Sequence, residues 1–506
     1  MFVFLSIGWA FASPRGSSAD EDFHAINIWC SGGGSDLCEE TADGTGVIVP
    51  RTLSRFECYV NWPARFSAQC LKEIPEETEY TTRVVFDRLT YSPLYYSTMR
   101  LLAGNNIEVS IQVMRVFNSL IAAALLLWAL LATSLSIRRS IALTWGAAMI
   151  PVGIFFIASI NPSSWVITSI GVYWAFLASL LTPEGIQGKR KWNLLAGMLV
   201  AAVLGLSART DTGIYLVAST IAVLIWRWPF VRSHLSRSVR IIVGLFALFL
   251  VAISGLIFWN RYGLLSLSFP GAQTSTGQPT PALKTLMEFP SFLLGLLGGQ
   301  ESKYIISDTD VSISQEGYRP TGFTFGIGWT ETHLPSLVAI GIGFVVAGLI
   351  ALAIAHATKL RLIAAGLIIV AMATQILLML AVFDFNYVAP IQPRYFFPIG
   401  LAALGILLAA ETQGRLLTRV HAVVFAGILT VAGTFAFLAT SARYAIGPHA
   451  AMTNFGHPLD WWWEYAPGRL ALTAIMAMVT FGWALATIWI FPARLKPIQV
   501  DSLQSS

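Results

Sequence analysis

Hydrophobic residues run in long, nearly unbroken stretches along most of this chain. Because they do not alternate with polar residues at every second position, they favour helices over strands. Lipid offers no hydrogen-bond partners to the backbone, so an apolar run of about 20 residues is expected to cross the membrane as a helix. The runs predict an all-α integral membrane protein of about twelve transmembrane helices, near residues 1–12, 114–136, 141–160, 163–182, 193–208, 213–228, 240–260, 334–355, 361–382, 396–411, 420–441 and 469–491.

The polar stretches divide the chain into parts. Residues 1–12 form a first helix, 13–112 a polar segment, and 113–260 helices two to seven. Residues 261–333 form a long loop, 334–491 helices eight to twelve, and 492–506 a tail. The run at 1–12 is short and ends like a signal peptide, but no basic stretch precedes it, which favours a first helix. In the long loop, the apolar piece 283–297 predicts a surface or re-entrant helix.

Composition and charge agree with a multi-pass membrane protein. The chain is 55% hydrophobic and only 12% charged, with a mean hydropathy of +0.66, whereas soluble domains carry roughly 25% charged residues. The net charge of +5 is divided among short clusters between spans, so it does not indicate a nucleic-acid partner.

These basic clusters occupy alternate connections between the predicted helices. Positive charge marks cytoplasmic loops, which predicts that both termini lie in the cytoplasm. The clusters are Arg138 with Arg139, 189–191, 227–240, Lys359 with Arg361, Arg415 with Arg419, and Arg494 with Lys496.

All four cysteines, Cys30, Cys38, Cys58 and Cys70, lie in the polar segment 13–112. Disulfides persist in oxidising compartments, so the segment is predicted to be extracytoplasmic and held by two disulfides. The sequence does not choose among the three possible pairings. A zinc site is the alternative, but no closely spaced pair of cysteines supports it.

Three polar side chains follow the first apolar run directly, and they are candidates for catalysis. Asp20 and Glu21 are candidate catalytic carboxylates, and His24 is a candidate substrate contact. A carboxylate near a low-dielectric boundary suits a general base for a sugar hydroxyl. The same three residues are candidate ligands for a divalent cation beside a phosphate. The alternative is a solvated acidic turn.

Two further polar groups interrupt helix ends on the same predicted face. Arg209 and Asp211 break an apolar hairpin, while Gln392, Arg394 and Tyr395 precede the helix near 396–411. Arginine matches phosphate oxygens geometrically, so these residues are candidate substrate contacts. The alternatives are a local Arg–Asp pair and an interfacial aromatic belt.

Several short motifs, in order from about residue 14 to 400, resemble a bacterial family of multi-pass membrane proteins of unknown function. That family resembles the GT-C glycosyltransferases, which carry an acidic residue in the first extracytoplasmic loop and take sugar from a polyprenyl-phosphate donor. The motifs are Asp20-Glu21 with His24, Ser92-Pro93-Leu94-Tyr95-Tyr96, Met114-Arg115, Asn161-Pro162-Ser163, Gly328-Trp329 with Leu334-Pro335, and Gln392-Pro393-Arg394-Tyr395.

The resemblance implies a GT-C-like fold and a membrane glycosyltransferase in a bacterial inner membrane. Asp20 or Glu21 would be the base or a metal ligand, and Arg394 would contact the donor phosphate. The expected partners are membrane lipid, a polyprenyl-phosphate-sugar donor and a glycan or other cell-envelope acceptor. The four-cysteine insert departs from the general pattern, which leaves the acceptor open.

Two other classes of function compete with the transferase. A transporter or flippase of a lipid-linked or polar solute would need ionisable residues along a path through both leaflets. The predicted spans carry most ionisable residues at outer helix ends, which favours a transferase. A receptor or scaffold would not bring Asp20 close to Arg394, and the distance between these two residues separates it from an enzyme.

Overall fold

The structure is a computed structural model of the chain. It describes residues 1–32, 36–55, 58–59, 67–82, 91–234, 325–328, 332–382, 393–409, 417–447, 455 and 468–490. Helices dominate this part of the chain: α1 (Phe2–Phe11), α2 (Glu21–Trp29), α3 (Arg51–Ser54), α4 (Pro93–Arg100), α5 (Ile107–Ala132), α6 (Leu135–Ala148), α7 (Ile154–Ile157), α8 (Ser163–Leu180), α9 (Gly188–Leu206), α10 (Thr212–Trp226), α11 (Trp228–His234), α12 (Ser336–Ala355), α13 (Lys359–Val382), α14 (Phe397–Leu408), α15 (Arg419–Ile446) and α16 (Arg469–Ala484).

Helices occupy the predicted positions throughout the described residues. Seven of these segments are long and apolar enough to cross a membrane, or eight if α10 and α11, bent by 73°, form one span. Within the part of the chain that the structure describes, the protein is therefore helical with seven or eight candidate spans, and the expected total of twelve is not shown. Two of the predicted helices, α1 and α14, are shorter than a full span. The predicted helix 240–260 and the apolar piece 283–297 lie outside the described residues.

Helix α8 is the centre of the bundle and is buried along nearly its whole length. Its neighbours approach closely through small residues: Gly197 of α9 lies against Phe176, and Gly405 of α14 lies against Trp174. Ser169 also donates a hydrogen bond to the carbonyl of Ala201 (2.6 Å). Small residues and interhelical hydrogen bonds are the usual means of helix association in lipid.

Large apolar side chains remain exposed on the outer helices. Leu127 and Leu131 of α5, Val203 of α9 and Phe344 of α12 are each more than half exposed. Faces of this kind are unfavourable in water and suit lipid contact. Residues that a soluble bundle would bury therefore form the outer surface of this one.

The polar segment after α1 folds into a small subdomain with two disulfides, Cys30–Cys38 and Cys58–Cys70. The prediction of two disulfides is confirmed, and each cysteine pairs with its neighbour along the chain. Strands β1 (Glu39–Glu40), β2 (Val47–Pro50) and β3 (Thr78–Thr81) form an antiparallel sheet in the order β1-β2-β3. Two further strands, β4 (Phe325–Ile327) and β5 (Thr332–Leu334), form a separate hairpin.

The disulfide subdomain packs on the bundle through buried polar contacts. Tyr59 donates to the carbonyl of Arg15 (2.6 Å), and Arg443 donates to the carbonyl of Tyr59 (2.7 Å). Arg15 also pairs with Glu108 at 3.0 Å. These contacts join the subdomain to α5 and α15.

The connections between helices segregate by charge at the two ends of the bundle. The turn before α2 contacts the connection 158–162 through Asn161 and the turn 393–396 through Arg394. The connection 207–211 joins the same end through the hydrogen bond from Arg209 to Ser163. We call this the Asp20 end. At the opposite, basic end, Ser134 bonds to Ser179 and Arg361 bonds to the carbonyl of Ala409. The alternation of basic loops along the sequence thus corresponds to two distinct ends.

Candidate functional site

Glu21 is a structural residue at the turn between α1 and α2. Its carboxylate is fully buried and receives two hydrogen bonds of 2.9 Å from Arg115 of α5. Arg115 also donates to the carbonyls of Ala10, Ser13 and Pro14. One guanidinium therefore neutralises Glu21 and satisfies the carbonyls that α1 leaves unpaired at its end.

Asp20 directly precedes Glu21, but its side chain points in a different direction. It has left-handed backbone angles, φ 60° and ψ 16°, and is the one non-glycine residue with positive φ among those the structure describes. Its side chain does not cap α2, although aspartate at this position usually does. Instead its carboxylate, 39% exposed, lies 3.6 Å from Arg394. Of the two predicted catalytic carboxylates, Asp20 is the accessible one.

Arg394 lies in the 3₁₀ turn Pro393–Phe396, which leads into α14. It donates to the carbonyl of Gly328 (3.2 Å) and packs over the rings of Phe156 (5.4 Å) and Tyr395 (5.3 Å). Gly328 has φ 75°, a conformation that favours glycine. The contact with Asp20 is longer than a normal hydrogen bond, so among the described residues only the carbonyl of Gly328 accepts a hydrogen bond of normal length from Arg394.

Arg209 lies between α9 and α10 and is oriented by its neighbours. Asp211 accepts two hydrogen bonds from it, of 3.1 and 2.6 Å, and Ser163 accepts a third of 3.1 Å. Its guanidinium lies 5.5 Å from the centre of the Tyr395 ring. Arg209 therefore forms the local pair with Asp211. It also lies beside Tyr395, another of the predicted substrate contacts.

Tyr395 brings the two arginines together. Its ring contacts both Arg209 and Arg394, and its carbonyl accepts a hydrogen bond of 2.8 Å from Tyr215 of α10. The structure thus places two guanidinium groups on one aromatic ring, with Asp20 beside one of them. Gln392, the remaining predicted member of this motif, lies outside the described residues.

The Asn161-Pro162-Ser163 turn supports both halves of the site. The side-chain amide of Asn161 donates to the carbonyl of Ala19 (2.9 Å), directly before Asp20, and its oxygen accepts from the backbone of Ser163 (2.9 Å). Ser163 in turn accepts from Arg209. The sequence places Ser163 in a turn motif but does not predict its contact with Arg209.

His24 is fully buried. Its Nδ1 atom shares a hydrogen bond of 3.0 Å with the hydroxyl of Tyr96, and its ring meets Tyr91 edge-on at 5.1 Å. His24 therefore supports neighbouring aromatic rings, and its role as a substrate contact stays a prediction. Within the described residues, no group of three His, Cys, Asp or Glu side chains is placed to hold a metal ion.

Tyr91 begins an aromatic stretch, residues 91–96, whose sequence predicts interfacial packing or, as the alternative, stacking on sugar rings. It forms a backbone bridge with Arg209, which places the start of α4 against the turn before α10. The backbone of Ser92 also donates to the carbonyl of Ala208 (3.3 Å). The bridge brings Tyr91 to the candidate site, a contact that the sequence alone does not predict.

Comparison with known proteins identifies the family. A family model described as "Predicted membrane protein (DUF2142)" matches residues 2–403, which include Asp20, Arg209, Arg394 and Tyr395. No curated protein and no solved structure matches the chain. The match covers most of the sequence and all the residues brought together at the Asp20 end. The chain therefore belongs to the DUF2142 family of predicted membrane proteins.

Proposed function

We propose that this protein is a membrane glycosyltransferase that transfers a sugar from a polyprenyl-phosphate donor to a cell-envelope acceptor at the Asp20 end. The observation that carries the proposal is the position of Asp20, a partly exposed carboxylate 3.6 Å from Arg394. Arg209 and Arg394 lie 5.5 and 5.3 Å from the centre of the Tyr395 ring. A candidate base and two candidate phosphate-binding groups therefore lie close together.

The arginines would hold the lipid phosphate. Arginine presents a planar fork of N–H donors that matches phosphate oxygens. Arg394 is 11% exposed, and Arg209 is 16% exposed, so their charges act where water screens them weakly. Arg394 is fixed by two rings and the carbonyl of Gly328, and Arg209 by Asp211, Ser163 and the Tyr395 ring. Such preorganisation stabilises the charge that develops on a departing phosphate.

Asp20 would act as the general base. When the donor phosphate occupies Arg394, the long Asp20–Arg394 contact is replaced and the carboxylate is available to the acceptor. The acceptor hydroxyl gives its proton to Asp20, and its oxygen forms a bond to C1 of the donor sugar. The bond between C1 and the phosphate oxygen breaks, and its electron pair leaves with the lipid phosphate. Proximity of donor and acceptor supplies a large part of the rate.

The distribution of ionisable groups supports transfer over transport. A flippase needs polar groups along a path through both leaflets. In the described spans, ionisable side chains lie near helix ends, as with Glu108 and Arg115 of α5, Lys359 of α13 and Arg443 of α15. Helices α8 and α12 carry none.

The test is sugar transfer by purified protein in nanodiscs. The donors are radiolabelled polyprenyl-phosphate hexoses and pentoses, and cell-envelope glycan is the acceptor. Asp20→Asn should lower kcat about 100- to 10,000-fold, the usual contribution of a general base, with donor affinity retained. The matched control is Glu184→Gln, an exposed carboxylate in the connection between α8 and α9.

Full transfer by Asp20→Asn would refute the role of Asp20 as base. The same donors in proteoliposomes test the flippase alternative. If the wild type moves the lipid-linked sugar across the membrane without changing it chemically, the transferase proposal is wrong.

A further inference from the structure

Two partly exposed aromatic rings form a surface beside Asp20. Phe23 lies three residues after Asp20 in the first turn of α2, and Tyr91 lies just before α4. Their ring centres are 5.8 Å apart, with planes inclined by 49°. We call this pair the aromatic surface.

The aromatic surface is held in place from behind. His24 meets the Tyr91 ring edge-on at 5.1 Å, and the buried His24 is itself held by Tyr96 at 3.0 Å. The backbone bridge to Arg209 fixes Tyr91 from the other side. A rigid aromatic ring loses little entropy when it binds a ligand.

The Tyr91 hydroxyl is available as a donor. Among the described residues it makes no hydrogen bond, although Asp20, Arg209 and Tyr395 lie close enough to affect its pKa. Burial raises the pKa of Tyr91, an effect that Arg209 only partly offsets, so the hydroxyl is protonated at neutral pH. A partly buried hydroxyl with no hydrogen-bond partner in the described part of the chain is a group that a ligand can satisfy.

We infer that Phe23 and Tyr91 form a saccharide-binding subsite that receives the sugar ring of a lipid-linked substrate. The apolar C–H face of a pyranose packs on aromatic rings, and a ring hydroxyl of the sugar accepts a hydrogen bond from Tyr91. Polar groups of this kind orient a ligand in an otherwise apolar site. The lipid phosphate would then bind to Arg394 and Arg209, with Asp20 between the phosphate and the sugar ring. The lipid-linked form of the ligand rests on the proposed function, whereas saccharide recognition does not.

The test compares two probes, polyprenyl phosphate and polyprenyl-phosphate glucose, bound to the full-length protein in nanodiscs. The wild type should bind the sugar-bearing lipid more tightly. Tyr91→Phe, which removes only the hydroxyl, should reduce this preference about 2- to 10-fold, the value of one hydrogen bond. Phe23→Leu should reduce it by a similar factor, and both variants should bind bare polyprenyl phosphate as the wild type does. Tyr80→Phe, an exposed tyrosine of β3, is the matched control.

A second measurement separates the subsite from the proposed function. Saturation-transfer NMR with methyl glucoside and methyl mannoside detects saccharide binding without lipid phosphate. If neither lipid probe binds but the wild type gives a glycoside signal that Phe23→Leu removes, the subsite stands and the proposed function fails. If the wild type shows neither a preference for the sugar-bearing lipid nor a glycoside signal, the subsite is refuted. It is also refuted if Tyr91→Phe and Phe23→Leu both retain the wild-type preference.

Discussion

Replacement of Arg115 by methionine tests the separation between the structural Glu21 and the exposed Asp20. The wild-type guanidinium pairs with Glu21, and neither side chain is exposed to solvent. Removal of one partner of a buried ion pair costs about 3–5 kcal/mol. The carbonyls of Ala10 and Ser13 also lose the hydrogen bond from Arg115, at about 1–3 kcal/mol for each one left unpaired. The carbonyl of Pro14 keeps the backbone of Ser17 as a donor. We expect Arg115→Met to lower the free energy of unfolding by at least about 4 kcal/mol.

The assay is equilibrium unfolding in mixed detergent micelles, followed by tryptophan fluorescence, for Glu21→Gln, Arg115→Met and the double variant. Replacing a buried pair by apolar residues of similar size is often neutral. Here the double variant should stay destabilised, because the carbonyls of the turn remain without a donor. Its loss should nevertheless be smaller than the sum of the single losses, by about 0.5–3 kcal/mol of coupling.

The control is the surface pair Arg51–Glu77, which is 2.7 Å long and has side chains 40% and 66% exposed. Such pairs contribute about 0–1 kcal/mol, so Arg51→Met should change stability little. A loss for Arg115→Met no larger than the loss for Arg51→Met would refute the assignment of Glu21 to the fold.

Three further predictions concern stability and binding. Asp20→Asn should leave the free energy of unfolding unchanged, because asparagine tolerates a left-handed conformation, and Asp20→Gly should raise it by up to about 1 kcal/mol. A loss of stability in either variant, measured by the same unfolding assay, would contradict the left-handed backbone at Asp20. Gly405→Ala should cost about 1–3 kcal/mol, because its new methyl group would overlap the ring of Trp174; Gly427→Ala, with nothing near the added carbon, should be neutral or slightly stabilising, and equal effects in thermal unfolding would refute the packing at α14. Arg394→Lys should weaken polyprenyl-phosphate binding about 10-fold or more, because lysine lacks the planar fork; unchanged affinity in a nanodisc binding assay would exclude Arg394 as a phosphate contact.

The positions of the helices could be predicted because the membrane requirement is local. Each span needs its own apolar run, and the helices observed from Ile107 to Leu206 lie close to the predicted positions. The number of spans is harder to predict, because short helices such as Phe2–Phe11 are as apolar as a membrane span but too short to be counted as one. The existence of two disulfides followed from composition, whereas their pairing depends on how the polar segment folds.

The site shows what a linear pattern cannot distinguish. Asp20 and Glu21 are adjacent carboxylates with the same predicted role, yet a left-handed backbone at Asp20 directs one to Arg394 while the other is buried against Arg115. The approach of Asp20 to Arg394 joins residues from opposite ends of the matched family region. The contribution of Tyr91 depends on a backbone bridge to Arg209, which no local pattern encodes.

The central claim is that the Asp20 end binds a lipid phosphate beside a carboxylate base. A structure of the protein determined with added polyprenyl phosphate tests it most directly. The account predicts a phosphate within hydrogen-bonding distance of Arg394, with Arg209 nearby and Asp20 turned away from Arg394. A phosphate bound only at the basic end, or an Asp20–Arg394 contact that stays closed with the lipid bound elsewhere, would contradict it.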